Sequence, residues 1–387
     1  MGAIEAERLG LVLTGGGART AYQVGVLRAI AGWLPRGAPT PFRILCGTSA
    51  GAINTVAIAA HAMNFRQGIG RLSSVWAHLS AADVVRSDSG TMLRGSTRWT
   101  LAFFARGLGR ANPLSLLDPS PLRALLNRSL PFAGIDQAVA AGVLRGVCVT
   151  AMSYVSGQSV SFYQGVAELE PWVRTARIGR AACLDVDHLM ASSAIPFLFP
   201  AVALGDEFFG DGSMRQFAPI SPALHLGASR LLLIDVKGPM HAVPGTDGAY
   251  PSLARIGGHV LNCIFLDGLD ADLERLRRIN ETVGRMPPAA RDRLGLRRID
   301  TLLITPSADL SMLAYHHRDT LPPALRSALG RIGALGPEGA DLVSYLLFEQ
   351  SYCREVMAVG FADATRMRRE ILEFIGRSSS QEAGIRS

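Results

Sequence analysis

The chain has 387 residues, 48% of them hydrophobic and 18% charged, with a formal net charge of +7. These figures describe a globular protein with an ample core, built as one large domain or as one domain plus an extension. They exclude several classes: no window approaches eighteen uninterrupted apolar residues, no basic region opens the chain, and the five widely spaced cysteines form no Cys-x-x-Cys pair.

The first element is the apolar run Leu9–Leu13, which predicts a buried strand. It feeds Gly15-Gly16-Gly17-Ala18-Arg19, and a helical pattern follows through Tyr22, Val26, Leu27 and Ile30. Three successive glycines can present backbone N–H groups to an anion with no side chains in the way. A nucleotide-phosphate reading fits poorly. The third glycine of the dinucleotide fingerprint is replaced by Thr20, and the only lysine of the chain, Lys237, lies in no Gly-Lys phosphate loop. Donation to an oxyanion fits better.

Phe42–Cys46 predicts a second buried strand, and the small, apolar stretch after Ala50 a buried helix. Between them stands Gly47-Thr48-Ser49-Ala50-Gly51. A Gly-x-Ser-x-Gly turn bends the chain sharply from strand to helix and lifts the serine hydroxyl out of the crowd. The helix N-terminus beneath it favours developing negative charge. Ser49 is therefore the candidate nucleophile.

Residues 62–120 read as less regular. Within them Leu93, Leu101, Phe104 and Leu108 share a helical face opposite Arg94, Arg98, Arg106 and Arg110, with Trp99 and Phe103 on the arginine side. That pattern suits a helix lying on a membrane surface, or an ordinary cap helix. The basic charge is otherwise dispersed, with no dense tract for nucleic acid. Val147–Tyr154 and Ser159–Tyr163 predict two strands joined at Ser156-Gly157-Gln158, and residues 187–196 a helix ended by Pro196. Phe197–Pro200 reads as extended.

Phe208-Phe209-Gly210-Asp211-Gly212-Ser213 supplies the third piece. An aspartate between glycines projects into a cleft without crowding, and a serine nucleophile needs a base. A turn aspartate capping its own backbone is the alternative. A Ser-His-Asp triad would need His225, His241, His259 or His316, none of which has a distinctive setting.

Glycine loop, serine elbow and Asp211-Gly212, in this order and context, resemble the patatin-like phospholipases, and Ala191–Phe197 looks like a further motif block of that family. The resemblance covers roughly residues 9–222 and implies a three-layer α/β/α hydrolase with a largely parallel central sheet. It implies Ser49 as nucleophile and Asp211 as base. It also implies an oxyanion hole of Gly15, Gly16 and Gly17, with Arg19 helping to hold the loop and Gly47, Thr48, Ala50 and Gly51 forming the elbow. Substrates of the family are acyl esters of phospholipids or neutral lipids, cleaved without metal or other cofactor. Thr20 and Ser213 depart from the family pattern, which usually has glycine at the first position and glycine or alanine at the second.

Past residue 222, Arg230–Val236 predicts a buried strand whose Asp235 is a weaker rival to Asp211. Residues 237–258 read as loop, and Leu266, Leu269, Leu273 and Leu276 as an amphipathic helix. Met286–Arg298 reads as a linker and Thr301–Thr305 as a strand extending the sheet. Asp341–Val359 and Met367–Ile375 read as helices before a disordered end. Residues 223–387 are thus expected to form a C-terminal extension packed on a 9–222 catalytic domain. The expected protein is a cytoplasmic or peripheral-membrane lipid acyl hydrolase. The alternative is a catalytically silent lipid-binding or regulatory protein on the same scaffold.

Overall fold

A computed structural model describes residues 8–86, 117–239 and 250–383. Ten strands form one mixed sheet: β1 (Leu9–Leu13), β2 (Ile44–Thr48), β3 (Gly146–Ser153), β4 (Ser159–Gly165), β5 (Trp172–Arg174), β6 (Arg177–Ala181), β7 (Val202–Leu204), β8 (Glu207–Asp211), β9 (Arg230–Ile234) and β10 (Asp300–Ile304). They run in the order β10-β9-β1-β2-β3-β4-β6-β5, with β8 paired to β3 and to β7. From β10 to β3 every pairing is parallel, and antiparallel pairs appear only beyond that point.

Both faces of the parallel part are covered, as strands without a wet face require. Leu9, Leu11 and Leu13 of β1 enter one apolar cluster, while Val12 enters the other. The larger cluster holds α1 (Ala21–Trp33), α2 (Ala50–Ala60) and α3 (Phe65–Ala77), together with the helix Gln350–Arg366. The smaller one is closed by Ala223 and Leu226 and by Leu269, Leu273 and Leu276 of the helix Asp267–Arg285.

Strand register decides where the site forms. Leu13 pairs with Gly47 on one side and with Ile234 on the other. Thr48 pairs with Thr150, and the next residue, Ala151, pairs with Asp211 on β8. The glycine loop, the elbow and Asp211 therefore emerge side by side at the carboxyl ends of adjacent strands, where open α/β sheets form their crevices.

Several expectations needed revision. The stretch after residue 62 contains the helix α3, capped by Asn64, whose side chain accepts from the Gln67 N–H. Its buried residues Phe65, Ile69, Leu72 and Trp76 recur at helical spacing. The loop expected up to residue 258 ends earlier, where Ser252 caps a helix Leu253–Phe265 by accepting from Arg255 N–H. Met286–Arg298 holds a short helix, Pro288–Leu294. Phe197 is not extended but has φ 67° in a turn. The helix expected over 341–359 is two, Ala340–Leu346 and Gln350–Arg366, and the break turns Phe348 toward Trp76 with ring centroids 6.5 Å apart. The arginine-bearing face of residues 93–110 and His241 lie outside the described residues.

Candidate active site

Ser49 closes β2 and caps α2 with φ 55° and ψ −133°, a conformation that L-residues rarely adopt. The packing around it leaves no alternative. A Cβ on Gly47 would lie 2.3 Å from Thr55 Oγ1, and one on Gly51 would lie 2.4 Å from the carbonyl oxygen of Thr14. Only glycine on either side lets the elbow press this close to α2 and to the end of β1.

The Ser49 hydroxyl donates to Asp211 Oδ2 at 2.6 Å. Both residues are buried, Ser49 at 2% exposure and Asp211 at 0%. Burial pushes the Asp211 carboxyl up to about 6, although the hydrogen bonds from Ser49 and Ser213 pull it down. The Ser213 N–H donates to Oδ1 at 2.8 Å and fixes the carboxylate plane.

Two residues of the 191–197 block clamp this pair. The Ser49 N–H donates to Ser192 Oγ at 2.8 Å, and that hydroxyl donates in turn to the Thr150 carbonyl at 2.6 Å. The Asp211 N–H donates to the Ala194 carbonyl at 2.9 Å. One turn of chain at the end of the helix Val186–Ser192 thus holds both halves of the couple.

Gly15, Gly16 and Gly17 run past the serine. A Cβ on Gly15 would fall 3.1 Å from Ser49 Cβ, so the loop backbone lies against the nucleophile. The loop is tied from within by Thr20 Oγ1 donating to the Gly17 carbonyl at 2.7 Å. Arg19 is buried, and its guanidinium is held by residues far along the chain. It donates to Ser344 Oγ at 2.7 Å, Ser311 Oγ at 2.9 Å and Asp341 Oδ1 at 3.0 Å, and lies 4.1 Å above the Tyr345 ring. Thr48 points its Oγ1 toward Gln216 Nε2 at 3.4 Å.

Ala50 and Ser49 open on an apolar cavity that follows α2 through Ile53 and Ala57. Leu72, Trp76, Leu126, Phe199 and Phe348 wall it, with His61 and Arg71 at its far end. Such a space, walled mostly by aliphatic and aromatic side chains between the nucleophile and the polar residues at its far end, is suited to a hydrocarbon chain.

Comparison with known families matches residues 11–224 to the patatin-like phospholipase model. The chain belongs to the patatin-like phospholipase family. No curated protein matches it in sequence. Among solved structures it resembles human GIVD cytosolic phospholipase A2 in complex with methyl gamma-linolenyl fluorophosphonate, at 12% identity and TM-score 0.46, covering 96% of this chain and 59% of that one. The type III effector ExoU matches at 13% identity and TM-score 0.31, covering 98% and 60%. A complex of full-length SpcU with full-length ExoU from Pseudomonas aeruginosa matches at 14% identity and TM-score 0.26, covering 96% and 80%. The chain thus spans about three fifths of the length of the first two.

The remaining sequence candidates of this patatin-like chain fall elsewhere. Asp235 is buried and its carboxyl is likewise pushed up to about 6, but Oδ1 accepts from Thr14 Oγ1 and from the Val236 N–H, both at 2.8 Å. The Ser49 hydroxyl bonds to Asp211 and not to this carboxylate. His225 stacks on Trp172 with centroids 4.7 Å apart, its pKa lowered to about 4 by burial and by Arg174 and Arg177. Among the described residues no three His, Cys, Asp or Glu side chains gather as metal ligands, and no helix is long and apolar enough to cross a membrane.

Two supports of the site carry little individual signal in the sequence. Ser192 lies within the 191–197 block, where nothing local marks it out from its neighbours. Asn54 and Gln23, both fully buried, form a polar chain under the loop: Asn54 donates to Gln23 Oε1 at 3.0 Å, and Gln23 donates to the Thr14 carbonyl at 2.8 Å. Their signal is one amide in each of two helical stretches made mostly of apolar residues.

Proposed function

We propose that this chain is a metal-independent serine acyl hydrolase of acyl-ester lipids, of phospholipase A or lysophospholipase type. The observation that carries the reading is the 2.6 Å hydrogen bond between Ser49 and a fully buried Asp211. A carboxylate with its pKa raised is a better proton acceptor than one in water, and it is already in reach of the proton it must take.

In the proposed cycle Asp211 Oδ2 accepts the hydroxyl proton as Ser49 Oγ attacks the ester carbonyl. The oxyanion that forms accepts from the N–H groups of Gly15, Gly16 and Gly17, while Arg19 holds that loop against residues 311–345. Collapse expels the alcohol, which takes the proton back from Asp211 and leaves an acyl group on Ser49. Water then releases the acid by the same steps in reverse. The fatty chain occupies the cavity along α2, and its apolar burial supplies binding energy at about 0.8 kcal/mol per methylene.

A fluorophosphonate probe tests the reading. Ser49 is expected to label in the wild-type protein, with Ser49→Ala unlabelled and Asp211→Asn labelled far more slowly; ester hydrolysis is lost in both variants while the fold remains. No labelling of folded wild-type protein would leave the silent lipid-binding alternative.

A further inference from the structure

The acyl cavity is not apolar to its end. Ala50, Ile53, Ala57 and His61 recur along one face of α2, so His61 stands twelve positions beyond Ser49, about 18 Å at 1.5 Å per residue. At that level the aliphatic walls give way to three polar side chains: His61, Arg71 of α3, and Ser129 from the helix Ser120–Ser129. Ser129 reaches this end because the chain after it packs on the last turn of α2, where a Cβ on Gly134 would lie 2.0 Å from the Ala60 carbonyl oxygen.

His61 and Arg71 are fixed in orientation. Arg71 Nη1 lies 3.2 Å from His61 Nε2, and because a guanidinium only donates, Nε2 accepts. Nδ1 then carries the imidazole proton and donates to the Ala57 carbonyl at 3.0 Å. α3 packs close against the histidine, since a Cβ on Gly68 would lie 2.5 Å from His61 Cβ. The bond to His61 leaves most of the guanidinium N–H groups unused. Among the described residues Arg71 has no carboxylate partner.

Charge and position together select the tip of the chain that fills this space. A methyl end at this level displaces water from a guanidinium and offers it no acceptor. A carboxylate accepts from the unused N–H groups in the planar geometry that suits both partners. Because Arg71 is exposed, that carboxylate keeps part of its hydration and escapes the full cost of burying a charge. A fully extended chain advances about 1.2 Å per bond, so reaching the level of Ala57 to His61, about 12–18 Å from Ser49, takes about ten to fifteen bonds.

We propose that the acyl cavity selects acyl groups carrying a second carboxylate at their far end, with Arg71 as the specificity-determining residue. The proposal rests on the acyl hydrolase reading above and names its substrate class. The substrates are esters of dicarboxylic acids of about ten to fifteen carbons, with the ester carbonyl at Ser49 and the free carboxylate at Arg71.

The test uses p-nitrophenyl half-esters of hexanedioic and dodecanedioic acid, each with its other end either free or capped as the methyl ester. Within one protein, the ratio of kcat/KM for the free acid to that for its capped partner separates the tip from any general loss of activity. In the wild type this ratio is expected to exceed about three at twelve carbons, the contribution of one partly solvated charge-assisted pair. At six carbons it should fall below one, because the shorter chain leaves its charge among the apolar walls near Ile53. Arg71→Gln should bring the twelve-carbon ratio to one or below. A twelve-carbon ratio under about three in the wild type overturns the proposal, as does a ratio that survives in Arg71→Gln or an equal preference at six carbons. If the wild type releases no p-nitrophenol from any of these esters, the hydrolase reading falls instead, and thermal stabilisation by monomethyl dodecanedioate decides the site. A raised melting temperature in the wild type but not in Arg71→Gln supports it; an equal effect on both proteins, or none, overturns it.

Discussion

Ser192 holds Ser49 by its backbone, not by its side chain: the Ser49 N–H donates to Ser192 Oγ at 2.8 Å. The bond occupies a donor that would otherwise stand unpaired in a buried elbow, and it leaves Oγ of Ser49 to Asp211 alone. Removing it by Ser192→Ala should cost about 1–3 kcal/mol, because both the Ser49 N–H and the Thr150 carbonyl lose their partner in the interior. Turnover should fall with little change in KM, since the elbow loosens while the acyl cavity is untouched. Thermal unfolding and steady-state kinetics check both halves. Full stability in the variant would show that the clamp is dispensable.

The elbow conformation makes a second prediction. With φ 55° and ψ −133°, any residue with a Cβ at position 49 carries strain of about 1–3 kcal/mol. Ser49→Ala and Ser49→Gly both lose the hydrogen bond to Asp211, but only glycine relaxes the backbone. The glycine variant should therefore be more stable than the alanine variant by about 1 kcal/mol in denaturant unfolding. The opposite order would mean that the elbow is not strained.

Asp211 and Asp235 set the pH behaviour. Both carboxyls are raised by burial from 3.8 to about 6. For catalysis the base must be ionised, so activity should rise with pH through about 6 and stand about tenfold below its plateau at pH 5. Stability runs the other way. A folded pKa above the unfolded one means that folding takes up a proton, so the contribution is fully present below about 4 and is lost as pH rises through about 6. Asp235→Asn removes one of the two titrations without touching Ser49. It should flatten the fall in melting temperature between pH 4 and pH 7 and leave the pH–rate profile in place. A moved rate profile would show that Asp235 couples to the reaction.

How much of this was legible beforehand follows from where the interactions lie along the chain. The glycine loop and the elbow were readable because each is local: a strand pattern, a run of small residues and a helix pattern within some fifteen positions. Asp211 was readable as a candidate from its flanking glycines, but its partnership with Ser49 depends on register, Thr48 opposite Thr150 and Ala151 opposite Asp211, which no local pattern records. Arg19 was expected to hold its loop, yet the residues it grips lie some three hundred positions away, among them Ser311, Asp341 and Ser344. Helix ends failed for another reason. The break at Leu347–Glu349 has no glycine or proline to announce it, and it exists because Phe348 packs toward Trp76 and the acyl cavity.

The acyl cavity makes the last prediction. Ala57 lines it on the same face of α2 as Ala50 and Ile53, two turns of helix beyond the elbow and so about 12 Å from Ser49 at 1.5 Å per residue. A chain lying along this face passes Ala57 only after its first several methylenes, so a ring placed there should block long acyl groups and spare short ones. Ala57→Phe is therefore expected to lower kcat/KM for dodecanoyl and longer esters at least about tenfold, while butanoyl ester hydrolysis stays within about threefold of wild type. The added bulk should also cost about 1–3 kcal/mol of stability, because the position is buried. Comparing chain lengths within the one variant separates the two effects: instability lowers every substrate alike, whereas a blocked channel lowers only the long ones. An equal fall for both esters would place the hydrocarbon chain somewhere other than along α2.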